Sequence, residues 1–309
     1  MMKKTWQLED MPSLKGKTVI VTGGNSGLGY ESVKVLAKKN ARVILACRSL
    51  SRGNEAKSKI MKDQPQTSIE VMALDLSSLD SVRKFADAYK AKHNKLDILL
   101  NNAGIMNVPY GKTTDGFEQQ IGVNHLGHFA LTGLLLDTLK STPKSRVVVI
   151  SSLLHKKGHI DFDSFSYNKK RTYDPQVAYA QSKLANLLFA KQLNHLIQKN
   201  KLDMTVVSAH PGGAKTNLGR YQDKGSSFNL VKKIIYPLLI QTADQGAMPG
   251  LRAATDESVT SGMYIGPSGF MESSGHPYIA KSAPAANDLQ TAEKLWKKSE
   301  SLTGIQYNF

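Results

Sequence analysis

Two side chains four residues apart, Tyr179 and Lys183 in Tyr-Ala-Gln-Ser-Lys, carry the sharpest chemical signal in this 309-residue chain. On a helix that spacing puts both on one face. An ammonium beside a phenol favours the phenolate and draws the tyrosine pKa down from its reference of about 10. A fall of about three pH units takes roughly 4 kcal/mol of differential stabilisation, much of which one close, partly desolvated cation supplies. Such a pair can pass a proton to or from an oxygen. Tyr-x-x-x-Lys is common and usually structural, so its meaning rests on companions. Ser151-Ser152 closes the run Arg146–Ser151, Asn124 lies in a stretch with helical apolar spacing, and Asn101-Asn102-Ala103-Gly104 ends the run Leu96–Leu100. Pro211-Gly212 follows Met204–Ala209, with Thr216 just beyond.

A second constellation holds rather than reacts. Thr22-Gly23-Gly24-Asn25-Ser26-Gly27-Leu28-Gly29 joins the β-branched run Thr18–Thr22 to a helical pattern through Val33, Leu36 and Ala37. Strand, glycine-rich turn and helix together present backbone N–H groups to a pyrophosphate, with the helix dipole favouring its charge. The spacing is G-x-x-x-G-x-G rather than G-x-G-x-x-G, and alone it also fits an ordinary tight turn. About twenty residues on, where a carboxylate would hold a ribose 2′-hydroxyl, stands Cys47-Arg48-Ser49-Leu50-Ser51-Arg52 with no acid before Glu55. A guanidinium pairs with a 2′-phosphate that a carboxylate repels. Arg48 therefore points to NADP, with Arg52 as helper; a solvated arginine after a strand is the alternative. Asp75, next to Leu76, follows the run Ser68–Leu74, where it accepts from an adenine amine or serves as an acid at a helix start.

These groups need a scaffold. Apolar runs at Thr18–Thr22, Ala41–Cys47, Ser68–Leu74, Leu96–Leu100, Arg146–Ser151, Met204–Ala209 and Gly262–Gly266 read as strands. Helical patterns fall at Tyr30–Lys39, Ser51–Lys62, Ser78–His93, a long stretch through Phe117, Ile121, Leu126, Phe129 and Leu134, then Gln176–Lys199, Ala243–Thr255 and Leu289–Leu302. The alternation predicts an α/β fold, a Rossmann-type doubly wound parallel sheet in three layers. Strand-end groups then share the carboxyl edge, where such sheets bind ligands. Neither repeat nor linker interrupts the chain, so one domain is expected over 1–309, with an N-terminal arm (1–15, Trp6 tucked onto the domain) and an excursion at 217–239.

In combination and order, Thr22–Gly29, Asp75, Asn101–Gly104, Asn124, Ser152, Tyr179/Lys183 and Pro211–Thr216 resemble the short-chain dehydrogenase/reductase family from about Lys15 to Gly266. Asn25-Ser26, Ala46-Cys47-Arg48 and Asn124–Phe129 are similar to its retinol-dehydrogenase-like branch, as is the long spacing from Ser152 to Tyr179, and the chain most resembles bacterial members whose substrates are unassigned. The resemblance implies that Tyr179 handles the proton on the substrate oxygen and that Lys183 binds the nicotinamide ribose and tunes Tyr179. Ser152 would hydrogen-bond the substrate oxygen, with Ser151 the alternative. Asn124 would hold a water linking Lys183 to solvent, and Thr216 would contact the carboxamide. Gly23, Asn25, Ser26, Gly27, Leu28, Gly29, Arg48, Asp75, Leu76, Asn101, Ala103, Gly104, Pro211 and Gly212 would complete the cofactor site with Tyr179 and Lys183. The implied activity is NADP(H)-dependent hydride transfer between a carbonyl and an alcohol. A retinoid or sterol dehydrogenase is the alternative within enzymes. An NADP-sensing binding protein is the alternative outside them, against which the intact Ser152–Tyr179–Lys183 set speaks. The family associates through helices matching Phe117–Leu139 and Gln176–Lys199, which implies a homo-oligomer.

Aromatics flank the expected reaction centre: Phe162, Phe165, Tyr167 and Tyr173 before Tyr179, then Tyr221, Phe228 and Tyr236 within the excursion. With Gly219 and Gly225 as hinges they form an apolar lid over a bulky apolar aldehyde or ketone, or they simply pack in the core. The net charge of +16 comes as scattered lysine pairs without interleaved aromatics, which argues for attraction of small anions rather than nucleic-acid binding. One cysteine excludes an internal disulfide, and no apolar run has the length of a signal core or membrane span, so a cytoplasmic setting is expected. His125/His128 and His155/His159 have metal-compatible spacing but no acidic or thiol partner; packing and capping roles are expected, and no metal.

Overall fold

Uninterrupted β-branched runs can only be satisfied where helices cover both faces of a sheet. β1 (Thr18–Thr22) and β4 (Ile98–Asn101) are buried at every residue, and they lie side by side at the centre. The computed structural model describes residues 5–166, 173–213 and 241–309. With β2 (Arg42–Cys47), β3 (Ser68–Ala73), β5 (Ser145–Ile150), β6 (Met204–Ala209), β7 (Tyr264–Pro267) and β8 (Pro277–Ile279), the sheet order is β3-β2-β1-β4-β5-β6-β7-β8. All neighbours are parallel except β7 and β8. The last parallel strand thus starts two residues later than the Gly262–Gly266 run predicts, and β8 adds an antiparallel edge. Three residues beginning with proline leave no periodicity to read, and proline is tolerated at a sheet edge.

α1 (Gly27–Lys38), α2 (Leu50–Asp63) and α8 (Ala243–Thr255) face one side of the sheet; α3 (Leu79–Lys92), α7 (Pro175–Lys199) and α9 (Leu289–Thr303) lie on the other. Most helices start on a side-chain cap: Ser49 accepts from Arg52 N, Ser78 from Ser81 N, and Asp174 from Gln176 N and Val177 N. The long apolar stretch is not one helix. Glu118 caps a single turn, α4 (Gln119–Ile121), with both carboxylate oxygens. A π-helical turn at Gly122–Leu126 carries Asn124, and α5 (Gly127–Leu134) and α6 (Leu136–Lys140) follow a break at Leu135. Phe117 lies ahead of the helix, buried in the core. α9 lies across α5 and α7, with Trp296 5.1 Å from Phe129 and 5.9 Å from Phe189, ring centre to ring centre. Trp6 is buried as expected, packing the arm against the α1 side.

Candidate active site

The sheet order reverses between β1 and β4, and a cleft of about 510 Å³ opens there at the carboxyl ends of β1 to β4. Its walls include Gly23 and Asn25–Gly29 after β1, Arg48 and Arg52 after β2, Asp75 and Leu76 after β3, and Ala103 and Gly104 after β4. Gly23 has φ +68°, and a side chain on Gly29 would sit 2.3 Å from the Gly23 carbonyl oxygen, so loop and helix meet closer than any other residue permits. Ser26 stands at the start of α1 yet makes no side-chain cap. The first N–H groups of this helix are therefore left to whatever enters the cleft, which suits a phosphate. Asp75 Oδ1 accepts from Ser77 N at 3.0 Å and Ser77 Oγ at 2.7 Å, so the carboxylate shapes its own turn while facing the cleft.

α7 brings Tyr179 and Lys183 to the same end of the sheet, where both are buried. The Ser152 Oγ accepts from Leu154 N at 3.2 Å and lies near enough to the Tyr179 phenol to oppose the upward push of burial on its pKa. Ser151 turns away: its hydroxyl donates to the Lys183 main-chain oxygen at 2.8 Å. Lys183 Nζ donates to the Ile150 carbonyl at 3.2 Å and lies 5.7 Å from the centre of the Tyr179 ring. A side chain on Gly104 would fall 3.1 Å from Asn124 Oδ1 and 3.5 Å from Lys183 Nζ, which places both at the cleft floor. Asn124 accepts from Ile105 N at 2.8 Å, and its Nδ2 donates to Ile105 O and Ser182 Oγ, each at 2.9 Å. The π turn thus holds the loop after β4 against α7.

The electrostatics differ from what residue spacing alone suggests. Burial pushes the Tyr179 phenol up to about 12, with the Ser152 hydrogen bond opposing, and burial pulls Lys183 down to about 8. The ammonium donates to the Ile150 carbonyl, and desolvation is the largest influence on the phenol.

A sequence model described as short chain dehydrogenase matches residues 17–226. The chain belongs to the short chain dehydrogenase family. It is 40% identical over 298 residues to human retinol dehydrogenase 13, covering 95% of this chain and 86% of that protein. With human retinol dehydrogenase 12 it shares 39% over 296 residues, 95% and 88% of the two chains. A crystal structure from Mycobacterium paratuberculosis superposes with a TM-score of 0.81 at 37% identity, covering 99% and 100%. A Shigella flexneri short chain dehydrogenase solved with NADP shares the fold, with a TM-score of 0.63 at 21% identity over 82% and 98%.

One expectation for this short chain dehydrogenase changes in the structure. Asn101 is buried with its amide donating to Thr132 Oγ1 at 3.0 Å, and Asn102 stands at the cleft in its place, donating to the Thr22 carbonyl at 2.7 Å. Side chains alternate across a strand, so the last residue of β4 faces the helices while the next faces the loop. Phe162 and Phe165 pair at 5.9 Å and pack against Leu184 and Leu188 rather than lining the cleft. The Tyr173 hydroxyl donates to Glu118 Oε1 at 3.0 Å and accepts from Gln120 Nε2 at 2.8 Å, pinning α7 to α4. Pro211 accepts from Gln241 Nε2, and Gly212 (φ +67°) backs onto Ser273, both just after the end of β6. Thr216, Tyr167 and the excursion 217–239 lie outside the described residues.

Thr22, at the head of the glycine motif, and His128, expected only to pack, form a hub that spacing did not predict. Thr22 Oγ1 accepts from Asn102 N and Ala103 N, each at 2.9 Å, and lies 2.9 Å from His128 Nε2. His128 Nδ1 is 3.0 Å from the Asn124 carbonyl, which can only accept, so the proton is on Nδ1 and Thr22 donates to Nε2. Burial holds this ring neutral, with its pKa lowered to about 4. His125 Nε2 lies 2.8 Å from Ser299 Oγ on α9. The only advance sign was a polar residue ending each central strand. Among the described residues no group of histidine, cysteine or acidic side chains could hold a metal, and no helix is long and apolar enough to cross a membrane.

Proposed function

We propose that this short chain dehydrogenase reduces a carbonyl with NADPH, acting on a bulky apolar aldehyde or ketone. The observation that carries the reading is a buried phenol, Tyr179, with Lys183 Nζ 5.7 Å from its ring centre and Ser152 at the end of the neighbouring strand β5. The glycine loop and the uncapped start of α1 would hold the pyrophosphate, Arg48 and Arg52 the 2′-phosphate, Asp75 and Leu76 the adenine, and Lys183 the ribose hydroxyls. When bound, the nicotinamide supplies the hydride. Ser152 orients the carbonyl oxygen and Tyr179 gives it a proton, while Asn124 keeps the Ile105 loop and α7 in register. Burial keeps the phenol protonated at neutral pH, the form that gives a proton to the substrate oxygen in the reductive direction. NADP-bound neighbours support the cofactor, and two retinol dehydrogenases at about 40% identity favour a long polyene aldehyde within the same substrate class.

The test is NADPH consumption with aldehydes and ketones of rising apolar bulk, retinaldehyde included. Efficiency rises along the series, since each buried methylene adds about 0.8 kcal/mol. Tyr179→Phe lowers turnover by at least about 100-fold, as loss of a positioned acid does, while NADPH still binds. A preference for small charged oxo-acids overturns the substrate class, and near-normal turnover in the variant overturns the mechanism.

A further inference from the structure

Ser152 has a second, unassigned support behind it. Its hydroxyl accepts from Leu154 N at 3.2 Å, and its carbonyl accepts twice from His155: from the main-chain N at 3.1 Å and from Nδ1 at 2.6 Å. The other ring nitrogen, Nε2, accepts from Ala283 N at 3.0 Å. A backbone N–H can only donate and a carbonyl can only accept, so the ring is fixed as the neutral tautomer with its proton on Nδ1. His155 is wholly buried, with its ring edge-on to Tyr264 at 5.5 Å. The Tyr264 hydroxyl lies 3.5 Å from His155 Nδ1, and the Ser151 hydroxyl donates to the Lys183 carbonyl at 2.8 Å. His155 thus braces the main chain of Ser152, as the neighbouring Ser151 braces that of Lys183.

We propose that His155 is a positioning residue for the reduction: its Nδ1–H holds the Ser152 carbonyl and thereby sets the Ser152 hydroxyl against Tyr179. The inference rests on the reductase reading above and adds a residue to it. A neighbour that sets a reacting group within about 1 Å can govern a hundredfold in rate without touching substrate.

Two substitutions separate the two ring bonds, because an asparagine amide reaches the Nδ1 position and a glutamine amide the Nε2 position. His155→Gln keeps the bond to Ala283 and loses that to Ser152; kcat per NADPH-binding site falls at least about tenfold, with KM for NADPH within about twofold of wild type. His155→Asn keeps the donor to Ser152 and restores kcat to within about threefold, though it melts lower for want of the Ala283 bond. In a Ser152→Ala background His155→Gln changes kcat by less than about twofold, because the group it positions is gone. Nitrogen-15 NMR of the unmodified protein shows His155 neutral and protonated on Nδ1. A ring protonated on Nε2, equal losses in both variants, or additive losses in the double variant overturn the inference and leave the reductase reading standing. Wild type without turnover on any carbonyl overturns that reading first, and this inference with it.

Discussion

Arg48 is exposed on the cleft wall, free to choose among cofactors by charge alone. A charge-assisted bond to a 2′-phosphate is worth about 1.5–3 kcal/mol, so Arg48→Ala weakens NADPH about 10–100-fold and leaves NADH unchanged. Titration of both cofactors reads this, and an unchanged preference would sink the NADP assignment. Lys183 makes a prediction in pH. Its folded pKa of about 8 lies below the ordinary 10.5, so between those values the unfolded chain binds more protons and stability rises with pH. The gain is about 3 kcal/mol at most and is complete by pH 10.5. Tyr179 acts oppositely and only above pH 10, where the unfolded chain loses a proton that the fold retains to about 12. Lys183→Met abolishes the rise from pH 8 to 10. Denaturant unfolding at both values checks it, and an equal wild-type-to-variant gap at the two pH values refutes it.

At the scale of elements, the end of β1 is lashed to the end of β4 and to the π turn through one hydroxyl. Thr22→Val keeps the shape and leaves Asn102 N, Ala103 N and His128 Nε2 without that partner. The loss is about 2–4 kcal/mol, against less than 1 kcal/mol for Thr18→Val, whose hydroxyl makes no comparable bonds. Urea midpoints of the two variants settle it; equal midpoints dismiss the hub. The same elements show what the sequence could reveal. Met204–Ala209 and Ala243–Thr255 have the same bounds in the structure as in the apolar pattern, because burial on a regular element repeats with that element's period. The π turn at Gly122–Leu126 breaks the period inside an otherwise helical run, so it read as helix. Tyr179, Lys183 and Ser152 were legible through fixed spacing on α7 and a strand end. The inward turn of Asn101 depends on β4 register, and the raised phenol pKa on packing by elements far away in sequence; neither leaves a local mark.

Over the whole molecule, the resemblance to the family places subunit pairing on helices that include α5 and α7, and α9 packs along one side of both. Trp296 and Tyr307 close over Phe129, and the Tyr307 hydroxyl donates to the Phe129 carbonyl at 2.6 Å. A chain ending at Asn287 uncovers Phe129, Phe189 and Leu193 together, a contiguous apolar patch of the kind that drives association. Size-exclusion chromatography of that truncation shows larger species than the full chain. An unchanged elution volume would mean that α9 does not cover the patch in solution. A symmetric pair sets one patch against its own copy across a two-fold axis. An axis through the side of α5 and α7 that α9 covers would first have to strip α9 from both copies and break the His125–Ser299 contact, which is anchored in the same turn as Asn124. Pairing through that side would therefore be felt directly in the active site.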